Sequence, residues 1–335
     1  MKVTVIDIAK KAGVSQSTVS KVLNNYPTIS KETREKVLDA IKELEFYPDL
    51  VARSLVTKKT KTIGLIVGDI SNPFFSETAK VVITDAREQE IDVIISDTDY
   101  RLENLELALR NMVGRRVDGI LVASVDRRDT VTTDLAKKEF PIVLFNRHTD
   151  DKGTPYVVTD NEKGSQLAVQ HLNDLGHRRI AYISGSLSFS TFHQRYNGYK
   201  KALAELNLTI DPMIVYSGQV DSEKIKVFLK KVLSLKNRPT SLYAASDQIA
   251  ITVIDILAEM GLRVPTDFSV VGFDNIDIAS NPHINLTTIS QNKQEMAEIA
   301  LEKLLNIINS KEDELPFQII LEPELIIRST TKSIQ

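Results

Sequence analysis

The chain has no cysteine and no tryptophan among its 335 residues. Without cysteine there is no disulfide framework, no thiolate nucleophile and no cysteine metal site. No apolar run approaches the length of a bilayer crossing. The opening "MKVTVIDIAKKAG" has no leader-like apolar stretch, because Asp7, Lys10 and Lys11 interrupt it. A cytoplasmic protein with no membrane partner is expected. Enzyme signatures are missing as well: there is no GxGxxG fingerprint, phosphate-cradling GxxxxGK[ST] loop, HExxH or GxSxG. "DTD" at 97–99 reads better as a turn after "DVIIS" than as a metal site. His193 has no ordered acid–base partner and reads as a pocket-wall or surface residue. No catalytic residue, metal or cofactor is therefore assigned, and the protein is not read as an enzyme.

Net charge is also scarce, at −3, but it is unevenly spread. Residues 1–60 carry 11 Lys+Arg against 7 Asp+Glu, a net +4, and the remainder carries 31 against 38, a net −7. A basic head on an acidic body implies that only the head approaches a polyanion. The length suits two or three domains.

Three short helices are legible in the head. The first covers about Val5–Ala12, with Ile8, Ala9 and Ala12 on one side, and Gly13 ends it. Ser15 can cap the second. The third follows Ser30, with Val37, Leu38, Ile41 and Leu44 at helical spacing. In the second helix, Val19, Val22 and Leu23 share a face that should pack on Ile8, Ala12, Leu38 and Ile41. Gln16, Ser17, Ser20 and Lys21 share the opposite face. That outer face could be a plain solvated surface, or could offer an amide, hydroxyls and an ammonium to base edges and phosphates. Pro48 interrupts the helical pattern, "DLVARSLV" is short and amphipathic, and "TKKTKT" at 57–62 is a basic linker.

Beyond the linker the texture becomes α/β. Apolar runs ("TIGLIVGD", "DVIIS", "GILVAS", "PIVLFN", "RIAYISG", "SLYAASD", "SVVGFD") alternate with helical patterns such as 77–90, 162–175, 248–260 and 294–308. Continuous apolar strands separated by helices imply parallel sheets covered on both faces. Their number implies two lobes, joined near residues 159–162. Asp69, Asn146, Asp247 and Asp274 stand at strand ends, where open α/β sheets bind ligands. Singly, each is a turn-forming residue; as a set they point to a cleft.

The whole order of motifs resembles the LacI/GalR family of bacterial repressors. "VTVIDIAKKAGVSQSTVSKVLNN", "ISKETREKVLDAIKELEFYPDLVARSL" and "TKTIGLIVGDISNPFF" carry the resemblance. It continues through "DNEKGSQLAVQHLNDLGHRRIAYISG", "RYNGY", "SDQIA", "GLRVPTDFSVVGFDN" and "LTTIS". The resemblance implies a small all-α helix-turn-helix head plus an α/β two-lobed periplasmic-binding-protein-like body, with two parallel sheets and three crossovers. The expected domains are the head at 1–47 and a hinge helix and linker at 48–61. One lobe takes 62–160 plus about 290–322, the other 161–289 plus about 323–331, with the chain returning to the first lobe near "TTIS".

The same resemblance implies site residues. Gln16, Ser17 and Lys21 match positions that read bases in the major groove. Thr4, Ser15, Thr18, Asn24, Ser30 and Thr33 match positions that hold phosphates. Ala52 and Leu55 match the hinge, where Leu55 would wedge into the minor groove. Phe74, Phe75, Asn146, Arg147, Thr191, Arg195, Ser246, Asp247, Asp274 and Gln291 match the effector site. Three positions depart from the common pattern: Lys21 stands where Arg is commoner, Asn146 where many relatives have Asp, and Val220 where sugar binders often have an aromatic. The implied protein is a homodimeric, sequence-specific DNA-binding regulator, most simply a repressor, on a palindromic double-stranded operator. A small-molecule effector, best read as a sugar or sugar derivative, would control it. A nucleobase or nucleoside, or a protein co-repressor, is the alternative control. A free sugar-binding protein is the alternative without DNA.

Overall fold

The computed structural model describes residues 3–23, 26–46, 59–310 and 316–334. They form two compact units that divide between Thr60 and Lys61.

The first unit holds α1 (Val5–Ala12), α2 (Gln16–Leu23) and α3 (Lys31–Glu43). Each boundary has a local cause. Thr4 caps α1, and both its N–H and its hydroxyl donate to the Asp7 carboxylate, at 2.9 and 2.7 Å. Gly13 ends α1 at φ 68°, a left-handed conformation that costs glycine little. The Ser15 hydroxyl accepts from Thr18 N–H at 3.1 Å, and Ser30 from Thr33 N–H at 3.3 Å. Ile8, Ala9, Val19, Val22, Val37 and Ala40 form the core. Leu38, expected against α2, is instead 50% exposed. Val37, Ala40, Ile41 and Leu44 make the inward stripe of α3, and residue 38 lies a further 100° round the helix. Residues 47–58 lie outside the described residues, and so do the break at Pro48 and the hinge positions Ala52 and Leu55; Asn24 does too.

The second unit contains two six-stranded sheets. The first has the order β11-β5-β4-β3-β1-β2, made of β1 (Thr62–Val67), β2 (Asp92–Asp97), β3 (Gly119–Val122), β4 (Ile142–Phe145), β5 (Tyr156–Thr159) and β11 (Gln318–Leu321). All its pairings are parallel. Ile63, Leu65 and Val67 of β1 join a cluster with α4 (Pro73–Glu88) and α11 (Lys293–Ile308). Ile66 packs in another with α5 (Leu102–Gly114). The period-two alternation of β1 thus serves both faces.

The second sheet has the order β12-β10-β9-β8-β6-β7. It is made of β6 (Ile180–Ser184), β7 (Val215–Ser217), β8 (Ser241–Ala244), β9 (Ser269–Asp274), β10 (Thr287–Ser290) and β12 (Glu324–Ile326). Helices α7 (Asn161–Asp174) and α8 (Ser190–Glu205) share a buried cluster with Tyr182, Tyr243 and Phe273. Helices α9 (Ser222–Leu233) and α10 (Asp247–Glu259) contribute to the cluster that holds Ala181, Ile183 and Leu242. The short α6 (Val131–Lys137) completes the set.

The chain passes between the sheets after β5, after β10 and after β11. "TTIS" is β10, which pairs with β9 in the second sheet, and the return to the first sheet follows Ser290. One detail differs from the expected pair of parallel sheets: β12 runs antiparallel to β10. Only Glu322 and Pro323 separate β11 from β12. With no helix to turn it round, the chain enters the second sheet from the cleft, against the direction of its neighbours.

Candidate functional site

On the head, the expected DNA-reading face stands clear of the core. Gln16, Ser17, Ser20 and Lys21 are exposed while Val19 and Val22 are buried. The hydroxyls expected on phosphates are engaged in helix starts. Ser15 Oγ lies 2.8 Å from Ser17 Oγ and 2.9 Å from Thr18 Oγ1, and Ser30 donates to Thr33 Oγ1 at 2.9 Å. Thr4, Ser15 and Ser30 remain exposed, whereas Thr18 and Thr33 are half-buried.

In the body, the carboxyl ends of the strands line a cavity of about 640 Å³. It gathers nine of the ten expected effector residues: Phe74, Phe75, Asn146, Arg147, Thr191, Arg195, Ser246, Asp274 and Gln291. Asp247 is not on its surface. That side chain lies fully buried behind the wall, where its carboxylate accepts from Thr288 Oγ1 at 2.5 Å and Ile276 N–H at 3.0 Å. Gly272 makes the room: a Cβ there would sit 2.2 Å from Asp247 Oδ1. Burial, reinforced by the charge of Asp274, pushes the Asp247 carboxyl up to about 7.

The wall from the second sheet is built on a buried ion pair. Arg195 Nη1 donates to Asp274 Oδ1 at 3.1 Å and to Ala245 O at 2.6 Å, and Nε donates to Asn161 Oδ1 at 2.8 Å. Its guanidinium lies 3.6 Å from the Phe273 ring centroid. Gln291 Nε2 donates to the same Asp274 oxygen at 2.6 Å. Desolvation raises the Asp274 carboxyl, and Arg195 opposes the rise.

The wall from the first sheet is different. Asn146 ends β4 at φ 61°, a left-handed turn that takes the chain out of the strand and leads to Arg147. Arg147 is 4% exposed. Its guanidinium stacks 3.8 Å from the Phe189 centroid, with Tyr100 at 5.1 Å and Phe75 at 5.9 Å. Asn146 Oδ1, Gln291 Oε1 and Arg147 Nε and Nη1 are buried without a hydrogen-bond partner. Burial pushes the Arg147 guanidinium down to about 10. Tyr100 and Asp274 also have positive φ, at 55° and 128°, so strained backbone gathers at the cleft, as it does at ligand sites.

Tyr100, Phe189, Phe192, Asn72 and Gln248 line the cavity without having been expected. Tyr100 and Phe189 sit outside any regular element, so no periodicity marks them. Among the positions not expected to bind, Val220 lines the cavity. His193 lies away from it and is half-buried, its Nδ1 3.4 Å from Asn197 Nδ2. In "DTD", Asp97 is the last residue of β2, and its carboxylate accepts the N–H groups of Ile70 and Asp99. Among the described residues no group of three or more His, Asp or Glu could hold a metal ion, and no helix is long and apolar enough to cross a membrane.

The molecule is thus of the class that joins a helix-turn-helix head to a two-lobed, ligand-binding body. Residues 4–49 match the family described as "Bacterial regulatory proteins, lacI family", and residues 169–331 match "Periplasmic binding protein-like domain". The chain is 36% identical over 333 residues to the HTH-type transcriptional repressor PurR of Mannheimia succiniciproducens, covering 99% of each chain. It is 34% identical over 332 residues, again 99% of each, to the ribose operon repressor of Haemophilus influenzae. A solved structure of the lac repressor dimer bound to operator and an anti-inducer aligns with a TM-score of 0.86. The identity is 28%, covering 99% of this chain and 100% of that one. The chain belongs to the LacI family of DNA-binding transcriptional regulators.

Proposed function

We propose that this regulator works in the cytoplasm as a homodimeric repressor on a palindromic operator, controlled by a polyhydroxylated small molecule, a sugar or sugar derivative, in the body's cleft. The observation that carries the effector class is the pair of orphaned buried acceptors, Asn146 Oδ1 and Gln291 Oε1, in a cavity that also holds the Arg195–Asp274 pair. Hydroxyl groups donate to such acceptors and accept from Arg, and the faces of Phe74 and Phe75 suit the C–H surface of a sugar ring. The name of one relative, a ribose operon repressor, agrees with a sugar-linked role for that protein. Coupling to DNA is a population shift: a ligand that favours one lobe arrangement biases the head's competence for the operator. In the head, Gln16, Ser17 and Lys21 would read bases and Thr4, Ser15, Thr18, Asn24, Ser30 and Thr33 would hold phosphates. Ala52 and Leu55 would act at the centre of the operator.

The test begins with selection of binding sites from a random duplex library by the full chain. Inverted half-sites should be enriched, and affinity should fall steeply with salt. Thermal-shift screening of sugars, sugar derivatives and nucleobases then finds the ligand. Operator affinity with and without it should differ for the wild type and be insensitive to it in Arg195→Ala and Asp274→Ala. A full response in both variants overturns the cleft assignment. A shift from nucleobases alone replaces the sugar class, and no shift from any small molecule points to a protein co-repressor.

A further inference from the structure

We infer that the cleft ligand carries an oxyanion, a carboxylate or a phosphate, and that Arg147 is the residue that takes it. This rests on the cleft being the effector site and adds the ligand's charge to that reading.

The inference starts from a contrast among the arginines. Arg127 is paired with Asp150, Arg179 with Asp211 and Arg195 with Asp274. Arg147 is as buried as Arg195, yet among the described residues it has no ion pair and its side chain makes no hydrogen bond; Nε and Nη1 are sealed without an acceptor. A desolvated cation with unmet donors is costly, and proteins keep one where something else completes it. The three rings of Phe75, Tyr100 and Phe189 do so only in part. They attract the face of the guanidinium and keep it charged. A ring face does not replace an acceptor in the guanidinium plane, so the in-plane N–H groups stay unmet.

The carboxylates of the cleft are otherwise engaged. Asp274 serves Arg195 and Gln291, Asp69 accepts from the N–H and hydroxyl of Ser71, and Asp247 is behind the wall. Asp99 is exposed. A neutral hydroxyl could accept one bond from Arg147 but would bring no negative charge to it, leaving only the more distant Asp126 and Asp274 and the rings to favour the cation. An anionic oxygen satisfies both charge and geometry, and charge-assisted bonds to arginine are the stronger kind. Asn146 Oδ1 beside it and Gln291 Oε1 require donors. Together these describe a polyhydroxylated acid or a phosphorylated sugar.

The experiment uses the full chain and the anionic group alone. Melting temperatures are measured with sodium acetate and with sodium phosphate, each against sodium chloride at equal ionic strength, for wild type, Arg147→Gln and Arg147→Lys. Acetate or phosphate should raise the wild-type melting temperature above the chloride control. The larger shift identifies which oxyanion the site prefers. Arg147→Gln should bind roughly tenfold more weakly or not at all, and Arg147→Lys, which keeps the charge, should retain part of the shift. Arg147→Gln should melt no lower than wild type in chloride, since it removes an unpaired cation, so a lost shift is not an unfolded protein. Equal shifts in wild type and Arg147→Gln, as an ion held at the DNA-binding head would give, overturn the inference. So does no shift in either. A neutral sugar in parallel separates the two levels. If the anions give no Arg147-dependent shift while the sugar stabilises wild type and Arg147→Gln alike but not Asp274→Ala, the cleft reading stands and only the oxyanion is wrong. If neither anion nor sugar acts, the oxyanion and the sugar class both fail.

Discussion

On the side of the cleft that ends β9, the charged groups have protein partners: Arg195 has Asp274, Asn161 and Ala245, and Asp274 has Arg195 and Gln291, whose own Oε1 is the one buried polar atom there without a partner among the described residues. On the side that ends β4, Asn146 and Arg147 hold buried polar atoms with none. Both walls are desolvated to a similar degree, so burial alone does not separate them. The paired wall is organised before a ligand arrives, and its geometry is fixed by folding. The unpaired wall carries an unmet desolvation cost; on the proposed reading a ligand relieves it, and binding energy and chemical selectivity would concentrate there.

The largest expected effect comes from breaking the paired wall. Asp274→Ala leaves Arg195 charged, buried and without its carboxylate, and should cost about 3–5 kcal/mol of stability of the body. Chemical denaturation monitored by fluorescence of the nine tyrosines would measure it. A loss below about 1 kcal/mol would mean that the pair is not the organising element.

A smaller loss is expected from crowding the support of the unpaired wall. Gly68 lies against Tyr100, and a Cβ there would sit 2.2 Å from the ring. Gly68→Ala must displace the ring that helps to hold Arg147, and should cost about 1–3 kcal/mol. Ligand affinity should fall along with stability. Unchanged affinity would show that Tyr100 does not position the guanidinium.

A further effect depends on pH. Asp247 titrates near 7 in the fold, against 3.8 as its ordinary value. The native state therefore binds this proton more tightly than the unfolded chain. The resulting penalty is absent below about pH 4, grows as the pH rises, and is complete above about pH 7. Asp247→Asn, neutral throughout, should gain stability relative to wild type as the pH rises through that window. A wild-type-to-variant difference that is flat in pH contradicts the assignment.

Much of this arrangement is legible in the sequence, for reasons that differ by element. The head follows from helical spacing and capping serines, although the stripe expected for α3 is one residue too wide and takes in Leu38, which is exposed, beside Val37, which is buried. The alternating apolar runs mark the sheets, because strands buried on both faces leave no room for polar residues. The nine cleft-lining residues come from family resemblance placed on strand ends and helix starts. Asp247 shares that signal but not that position: it starts α10 and turns inward to Thr288 and Ile276, a choice that depends on the space left by Gly272. Tyr100 and Phe189 belong to separate turns that only the fold brings to one guanidinium. No local pattern encodes that meeting.

The contrast between the walls is tested most directly by calorimetry of the ligand-free full chain with Arg147→Met beside Asp274→Ala. Replacing an unpaired buried cation by an apolar side chain of similar length should leave the melting temperature of the body unchanged or raise it, while Asp274→Ala lowers it sharply. If Arg147→Met destabilises the body as much as Asp274→Ala does, Arg147 is already satisfied without a ligand and the two walls are alike.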